Sequence, residues 1–230
     1  MLIIDQCHPE LPSVPLERYK YFQAINKLVD ATLVTHERNK KPLEQLNQYN
    51  NIFYREESEL TKKILPSDST TLRNRNNWSL ATALAYPIYA EFDRKVYQQF
   101  QEPILRGDYD LVHALTPMIP RYPVKAVKAC RQTPFLLGPV NGGVPFLPGF
   151  QEVMRQEFGY LNFLRAVGRA LVPGYTETYK KGDKILAGST YYSKFGKKNV
   201  VSLRSKNRTV LGKGDLLGFF KVYQSSKKRM

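Results

Sequence analysis

Three histidines and one glycine turn are the residues whose types and positions could do chemistry in this 230-residue chain. His113 closes the short apolar run Leu111-Val112, and a second apolar run, Phe135-Leu136-Leu137, opens into Gly138-Pro139-Val140-Asn141-Gly142-Gly143. An imidazole at a strand end can move a proton or donate a hydrogen bond. Backbone N–H groups in a tight Asn-Gly-Gly turn can cradle a phosphate or a sugar hydroxyl. His8 follows the run Leu2-Ile3-Ile4-Asp5, and His36 follows Ala31-Thr32-Leu33-Val34-Thr35, so all three histidines fall at carboxyl strand ends. For each of them the plain alternative is a loop histidine bonded to backbone. Adjacent Cys7-His8 lacks the turn spacing of zinc ligands, and no metal site is expected.

The elements that must position these groups alternate in type. Short apolar runs at Leu2–Asp5, Ala31–Thr35, Ile52–Tyr54, Leu111–His113, Phe135–Leu137 and Ile185–Ala187 read as strands, and the segments between several of them read as helices. Leu16, Tyr19, Phe22, Ile25 and Leu28 repeat at a spacing of three, which predicts a helix with Arg18, Lys20 and Lys27 on its exposed face. A helix is also expected over Val124, Val127 and Cys130, and another around Glu44-Gln45-Leu46. Two more are expected, an acidic one from Glu56 to Leu65 and a long one from Trp78 to Leu105 that Pro87 should kink. In the long one Tyr86, Tyr89, Phe92, Val96 and Phe100 read as core. The fold class that follows is α/β, a Rossmann-like, mainly parallel sheet flanked by helices. In such a sheet ligands sit outside the carboxyl strand ends, which puts His113 and the Asn141-Gly142-Gly143 turn at one crevice and the loop carrying His8 and Ser13 beside it.

Composition limits the function classes. A chain with 42% hydrophobic residues builds a core, and no run of about 18 apolar residues or signal-peptide pattern is present. The expected location is therefore cytoplasmic, with peripheral membrane contact open to it. Cys7 and Cys130 have no CxxC spacing and read as two buried thiols. The net charge of +15 is uneven: residues 196–230 hold ten Lys/Arg against one acid, Asp215. Arg155, Arg165 and Arg169 are interleaved with Phe158, Leu161, Leu164, Val167 and Leu171, a pattern that fits a surface helix or an amphipathic face lying on anionic lipid. Walker A, GxSxG, HExxH, EF-hand and GxGxxG patterns are missing from the body of the chain.

At DLVHALTP, LLGPVNGGVPFLPGF and DKILAGST the chain resembles the amino-terminal half of a family 4 glycosyltransferase, over roughly residues 1–190. The resemblance implies one half of a GT-B architecture, in which this half holds the acceptor and a second Rossmann-like domain binds the sugar nucleotide. It implies retaining hexosyl transfer to a glycan or lipid-linked acceptor, with no cofactor and no protein-bound metal. His113 would then be the catalytic-side residue near the reacting sugar, with Asn141, Gly142 and Gly143 on the cleft floor and Ser13 and His8 as further substrate contacts. The loop after the first strand is Pro12-Ser13-Val14-Pro15, whereas the family usually has glycines there. No glutamate occurs between Ile185 and Met230, so residues 191–230 are expected to be a basic, aberrant or disordered tail of a truncated enzyme. On that expectation the chain is inactive alone, and the donor site belongs to a second domain that a separate chain could supply. The alternative is a non-catalytic basic protein on an anionic membrane surface or nucleic acid, of which nucleic acid is the less favoured partner.

Overall fold

The computed structural model describes residues 1–59, 62, 78–115, 122–140, 149, 151–156, 172–187 and 200–202. The strands are β1 (Leu2–Ile3), β2 (Leu33–His36), β3 (Ile52–Arg55), β4 (Val112–Ala114), β5 (Phe135–Val140), β6 (Lys184–Ala187) and β7 (Val200–Ser202). The helices are α1 (Val14–Asn26), α2 (Lys40–Glu44), α3 (Trp78–Arg106), α4 (Gln151–Gln156) and α5 (Tyr175–Lys181). All strand pairs are parallel, in the order β3-β2-β1-β4-β5-β6-β7. This is the α/β, Rossmann-like arrangement expected from the alternation of apolar runs and amphipathic segments.

The sheet is covered on both faces, and the period-two alternation of its strands sorts the core into two layers. Ile3, Val34, Val112, Ala114, Phe135 and Leu137 pack against Phe92, Val96, Phe100 and Ile104 of α3 and against Tyr179 of α5. Leu2, Ile4, Leu33, Leu111, Leu115, Leu136 and Leu186 pack against Tyr19, Phe22 and Ile25 of α1 and against Leu43 of α2. Register fixes which residues share a face: Leu2 pairs with His113 and His113 with Leu136, so the His113 side chain lies in the α1 layer.

Several details differ from the sequence expectations. Arg18 is buried rather than exposed. An α-helix has 3.6 residues per turn, so Arg18 shares a stripe with Phe22 and Ile25 at i+4 and i+7, which a strict spacing of three obscures. Leu28 lies beyond the helix end and is 46% exposed. The helix expected at Val124–Cys130 is a short 3-10 turn, Lys125–Lys128. The helix expected around Glu44-Gln45-Leu46 is shifted to α2. α3 contains both Pro87 and Pro103, and within it Tyr89, Phe92, Val96 and Phe100 are buried as expected, whereas Tyr86 is only partly buried. β7 extends the sheet past residue 190 at the apolar pair Val200-Val201, whose pattern supports a strand, so the sheet does not end with β6. Half of the acidic segment from Glu56 to Leu65, most of the arginine-bearing segment to Val172 and the tail after Ser202 lie outside the described residues.

Candidate functional site

In the strand order the chain runs outward from β1 through β2 to β3, then crosses back to β4 and runs the other way. The reversal lies between β1 and β4. At such a switch point neighbouring connections leave on opposite faces and open a crevice at the carboxyl ends. β1 delivers Ile4, Asp5, Gln6, Cys7 and His8 to this edge, β4 delivers Leu115, and Asn141 directly follows Val140, the last residue of β5. Asn141, Gly142 and Gly143 themselves lie outside the described residues.

Asp5 is the anchor of the β1 side. Its carboxylate accepts hydrogen bonds from the buried Arg18 guanidinium and from the Gln6 N–H at 2.8 Å. Its carbonyl accepts Asn39 Nδ2–H at 3.0 Å, and the same amide reaches Thr35 Oγ1 at 2.8 Å. Strand β1, helix α1 and the end of β2 are thus tied together beneath the loop. Arg18 and Asp5 were not singled out from sequence, although the 3.6-residue stripe carries the signal for Arg18. Cys7, packed into the same layer, has its thiol pushed up to about 12 by burial, above all other influences, and is no nucleophile at neutral pH.

The loop from His8 to Ser13 is built on His8. The His8 N–H donates to the Pro15 carbonyl at 3.3 Å, and the ring Nδ1 accepts the Glu10 and Leu11 N–H groups at 3.1 and 3.2 Å. Partial burial lowers the imidazole from its ordinary range, against the pull of Glu10. Ser13 caps α1 with φ 72°, a left-handed backbone for a non-glycine residue, and its side chain makes no capping bond.

His113 is placed differently from a crevice-lining catalytic group. It is 0% exposed, and Nε2 lies 2.7 Å from the Gly138 carbonyl. A carbonyl only accepts, so Nε2 carries the proton. Burial pushes the ring down to about 3, which keeps it neutral at physiological pH. The burial leaves His113 no surface from which to meet a substrate in this conformation. What it does is fix β4 to the point where β5 departs from regular pairing: the β5–β6 register shifts between Leu137 and Val140. Gly138 has φ +115°, and a Cβ there would stand 2.6 Å from the Leu186 carbonyl oxygen. Sequence points to this glycine only as part of a turn.

The third histidine ends β2. His36 Nδ1 lies 3.2 Å from Glu57 Oε1, its ring packs 4.5 Å from Phe92, and the Arg38 fork grips both Glu57 oxygens. Burial pushes the Glu57 carboxyl up, but the His36 and Arg38 contacts outweigh it and hold the group at about 2. Above this pair is an open cleft of about 730 Å³ lined by Arg38, Lys40, Lys41, Glu44, Gln45 and Lys62, among others. The three histidines therefore occupy three separate environments. Among the described residues no group of three His, Cys, Asp or Glu could hold a metal ion, and no helix is long and apolar enough to cross a membrane.

Comparison with family models, with curated proteins and with solved structures finds no match to the chain. The functional reading therefore rests on the geometry of the crevice and on the motifs that flank it.

Proposed function

We propose that residues 1–190 are the acceptor-side unit of a glycosyltransferase of GT-B type, similar to family 4, working on a glycan or lipid-linked saccharide. The observation that carries the reading is the reversal of strand order between β1 and β4. It sets the loop from His8 to Ser13 next to β4, with the segment leading into Asn141-Gly142-Gly143 on the next strand out. A crevice flanked by a polar loop and a glycine turn suits a polyhydroxylated ligand, which needs several hydrogen-bond donors and close backbone approach.

In this reading Asn141, Gly142, Gly143, His8 and Ser13 contact the acceptor. His113 is a positioning residue that holds the Gly138 carbonyl and so aims the turn. The sugar nucleotide is a second substrate, bound by a donor unit outside residues 1–190. Stabilising the departing nucleotide is the main electrostatic task of such transfer, and it belongs to that unit. The 230-residue chain alone is expected to bind saccharide without transferring hexose. The test incubates it with UDP-, GDP- and ADP-hexoses and an acceptor panel, with and without the donor domain of a complete GT-B enzyme. Robust transfer by the chain alone, or no saccharide binding under any condition, would refute the reading.

A second reading is supported by composition: the ten Lys/Arg of residues 196–230 suit an anionic membrane surface, where each contributes about 1 kcal/mol near the headgroups. It is compatible with a lipid-linked acceptor.

A further inference from the structure

The bonds around His8 decide which of its atoms can meet a ligand. Nδ1 accepts two backbone N–H groups, from Glu10 at 3.1 Å and Leu11 at 3.2 Å, so its lone pair is engaged and it carries no proton. A neutral imidazole holds its one proton on the other nitrogen, here Nε2. The ring is only half-buried, and its Nδ1 edge is the one bonded within the turn formed by residues 8–11. The backbone N–H of His8 is itself spent on the Pro15 carbonyl, so the residue is held at both its main chain and its ring.

We propose that His8 is a fixed, neutral hydrogen-bond donor of the β1 loop, presenting Nε2–H to a hydroxyl oxygen of a saccharide acceptor, and that it is not a general base. A base needs a free lone pair, and both ring nitrogens are committed: Nδ1 to the backbone and Nε2 to its proton. Protonating Nδ1 would break both turn bonds, so the cationic form is disfavoured by the loop itself. Glu10, on the same turn, is the charged group that favours the cation, and burial outweighs it. An uncharged N–H donor is sufficient for a neutral sugar hydroxyl, whereas it lacks the full positive charge that an imidazolium would bring to a phosphate. The ligand class rests on the reading given under Proposed function, whereas the tautomer and the donor role rest on the loop alone.

Two substitutions separate the two edges of the ring. Asparagine places Oδ1 where histidine has Nδ1, so His8→Asn keeps an acceptor for the Glu10 and Leu11 amides and removes the outward donor. Glutamine places an N–H at the position of Nε2, so His8→Gln keeps the donor and removes the turn acceptor. The experiment records ring nitrogen NMR shifts of His8 in the full chain. It then titrates wild type and both variants with maltose, cellobiose, mannobiose and chitobiose. The expected result is a protonated Nε2 and bare Nδ1 at neutral pH, titration below the ordinary histidine range, and perturbation of the Nε2 signal by at least one disaccharide. His8→Asn should melt like wild type yet lose roughly fivefold to tenfold in affinity for that disaccharide, the size of one lost hydrogen bond. His8→Gln should melt lower and bind more tightly than His8→Asn. A proton on Nδ1, or undiminished saccharide affinity in His8→Asn, overturns the proposal while leaving the glycan reading standing. If none of the four disaccharides binds the wild type, the saccharide assignment falls with that reading, and the NMR result decides the donor role by itself.

Discussion

His113 Nε2 donates to the Gly138 carbonyl across 2.7 Å, and the two residues sit on neighbouring strands, Gly138 within the stretch where the β5–β6 register shifts. The contact joins the two sequence features most suggestive of chemistry, but it joins them inside the core. The Gly138 carbonyl of β5 is held by a neutral imidazole, three residues before Asn141.

Gly138→Ala is expected to be severely destabilising. The backbone there has φ +115°, and the added Cβ would meet the Leu186 carbonyl oxygen at 2.6 Å and the Val140 nitrogen at 2.9 Å. Both are main-chain atoms of paired strands and cannot swing away. Left-handed strain and overpacking together cost about 2–4 kcal/mol, or roughly 6–12 °C in melting temperature for a domain of this size. A melt within a degree or two of wild type would mean that the segment relaxes freely.

His113 and Asp93 should give opposing pH dependences. His113 falls from an ordinary value near 6.5 to about 3 on folding, so the native state binds fewer protons than the unfolded chain and stability is lost as pH drops from 6.5 toward 3. Asp93, in α3, is pushed from 3.8 up to about 6 by burial, which outweighs the Lys125 N–H bond at 2.8 Å. Its native state binds more protons, so its contribution is lost as pH rises from 3.8 to 6. Between those limits the two slopes, each at most about 1.4 kcal/mol per pH unit, offset one another. Urea unfolding across that window should show Asp93→Asn steepening the acid loss and His113→Gln reversing the slope. Parallel profiles for the two variants would refute the assignment.

How much of this was legible in sequence depends on range. The strands at Leu2, Leu33, Ile52, Val112, Phe135 and Lys184 were readable because each is a short apolar run between polar or helical segments, and their parallel pairing follows from the connections between them. The burial of Arg18 was readable only at the helical period of 3.6. The burial of His113 was not readable, because a histidine after Leu111-Val112 looks the same whether the next strand ends beside it or continues past it. That outcome depends on Gly138, 25 positions later, turning its carbonyl toward the ring. The same holds for Glu57, whose burial is set by Arg38 and His36 on another strand's end.

The Arg18–Asp5 pair should behave as a buried ion pair. Arg18→Met removes the guanidinium from the Asp5 carboxylate and is expected to cost about 3 kcal/mol. Asp5→Asn strands the guanidinium and should cost a similar amount. The double variant should cost clearly less than the two single losses added, because neither charge is then left buried without its partner. Additive losses in a double-mutant cycle by chemical denaturation would show that the pair is not coupled.

Anionic-surface binding should track the last 28 residues. Residues 203–230 carry eight Lys/Arg against Asp215, and β7 ends at Ser202, so a stop after Ser202 spares the sheet's edge strand. The shortened chain is expected to melt close to the full chain and to lose most retention on heparin and on vesicles of phosphatidylserine and phosphatidylcholine. Residual binding should weaken further from 50 to 200 mM salt. Unchanged vesicle binding would move the membrane contact onto residues 1–202.

Ser13→Gly separates strain from recognition at the mouth of the crevice. Ser13 holds φ 72° with ψ −136°, and its hydroxyl makes no capping bond to α1, so the fold gains nothing visible from the side chain. A non-glycine residue held this way costs about 1–3 kcal/mol, and glycine removes most of that at the expense of greater freedom in the unfolded chain. The expected net effect is a gain of roughly 1 kcal/mol in stability by urea titration. If the Ser13 hydroxyl contacts the acceptor, the more stable variant should nevertheless bind saccharide several-fold more weakly, since glycine restores no donor or acceptor in its place. Improved stability with unchanged saccharide affinity would remove Ser13 from the binding surface. Reduced stability would mean that the hydroxyl supports the loop rather than the ligand.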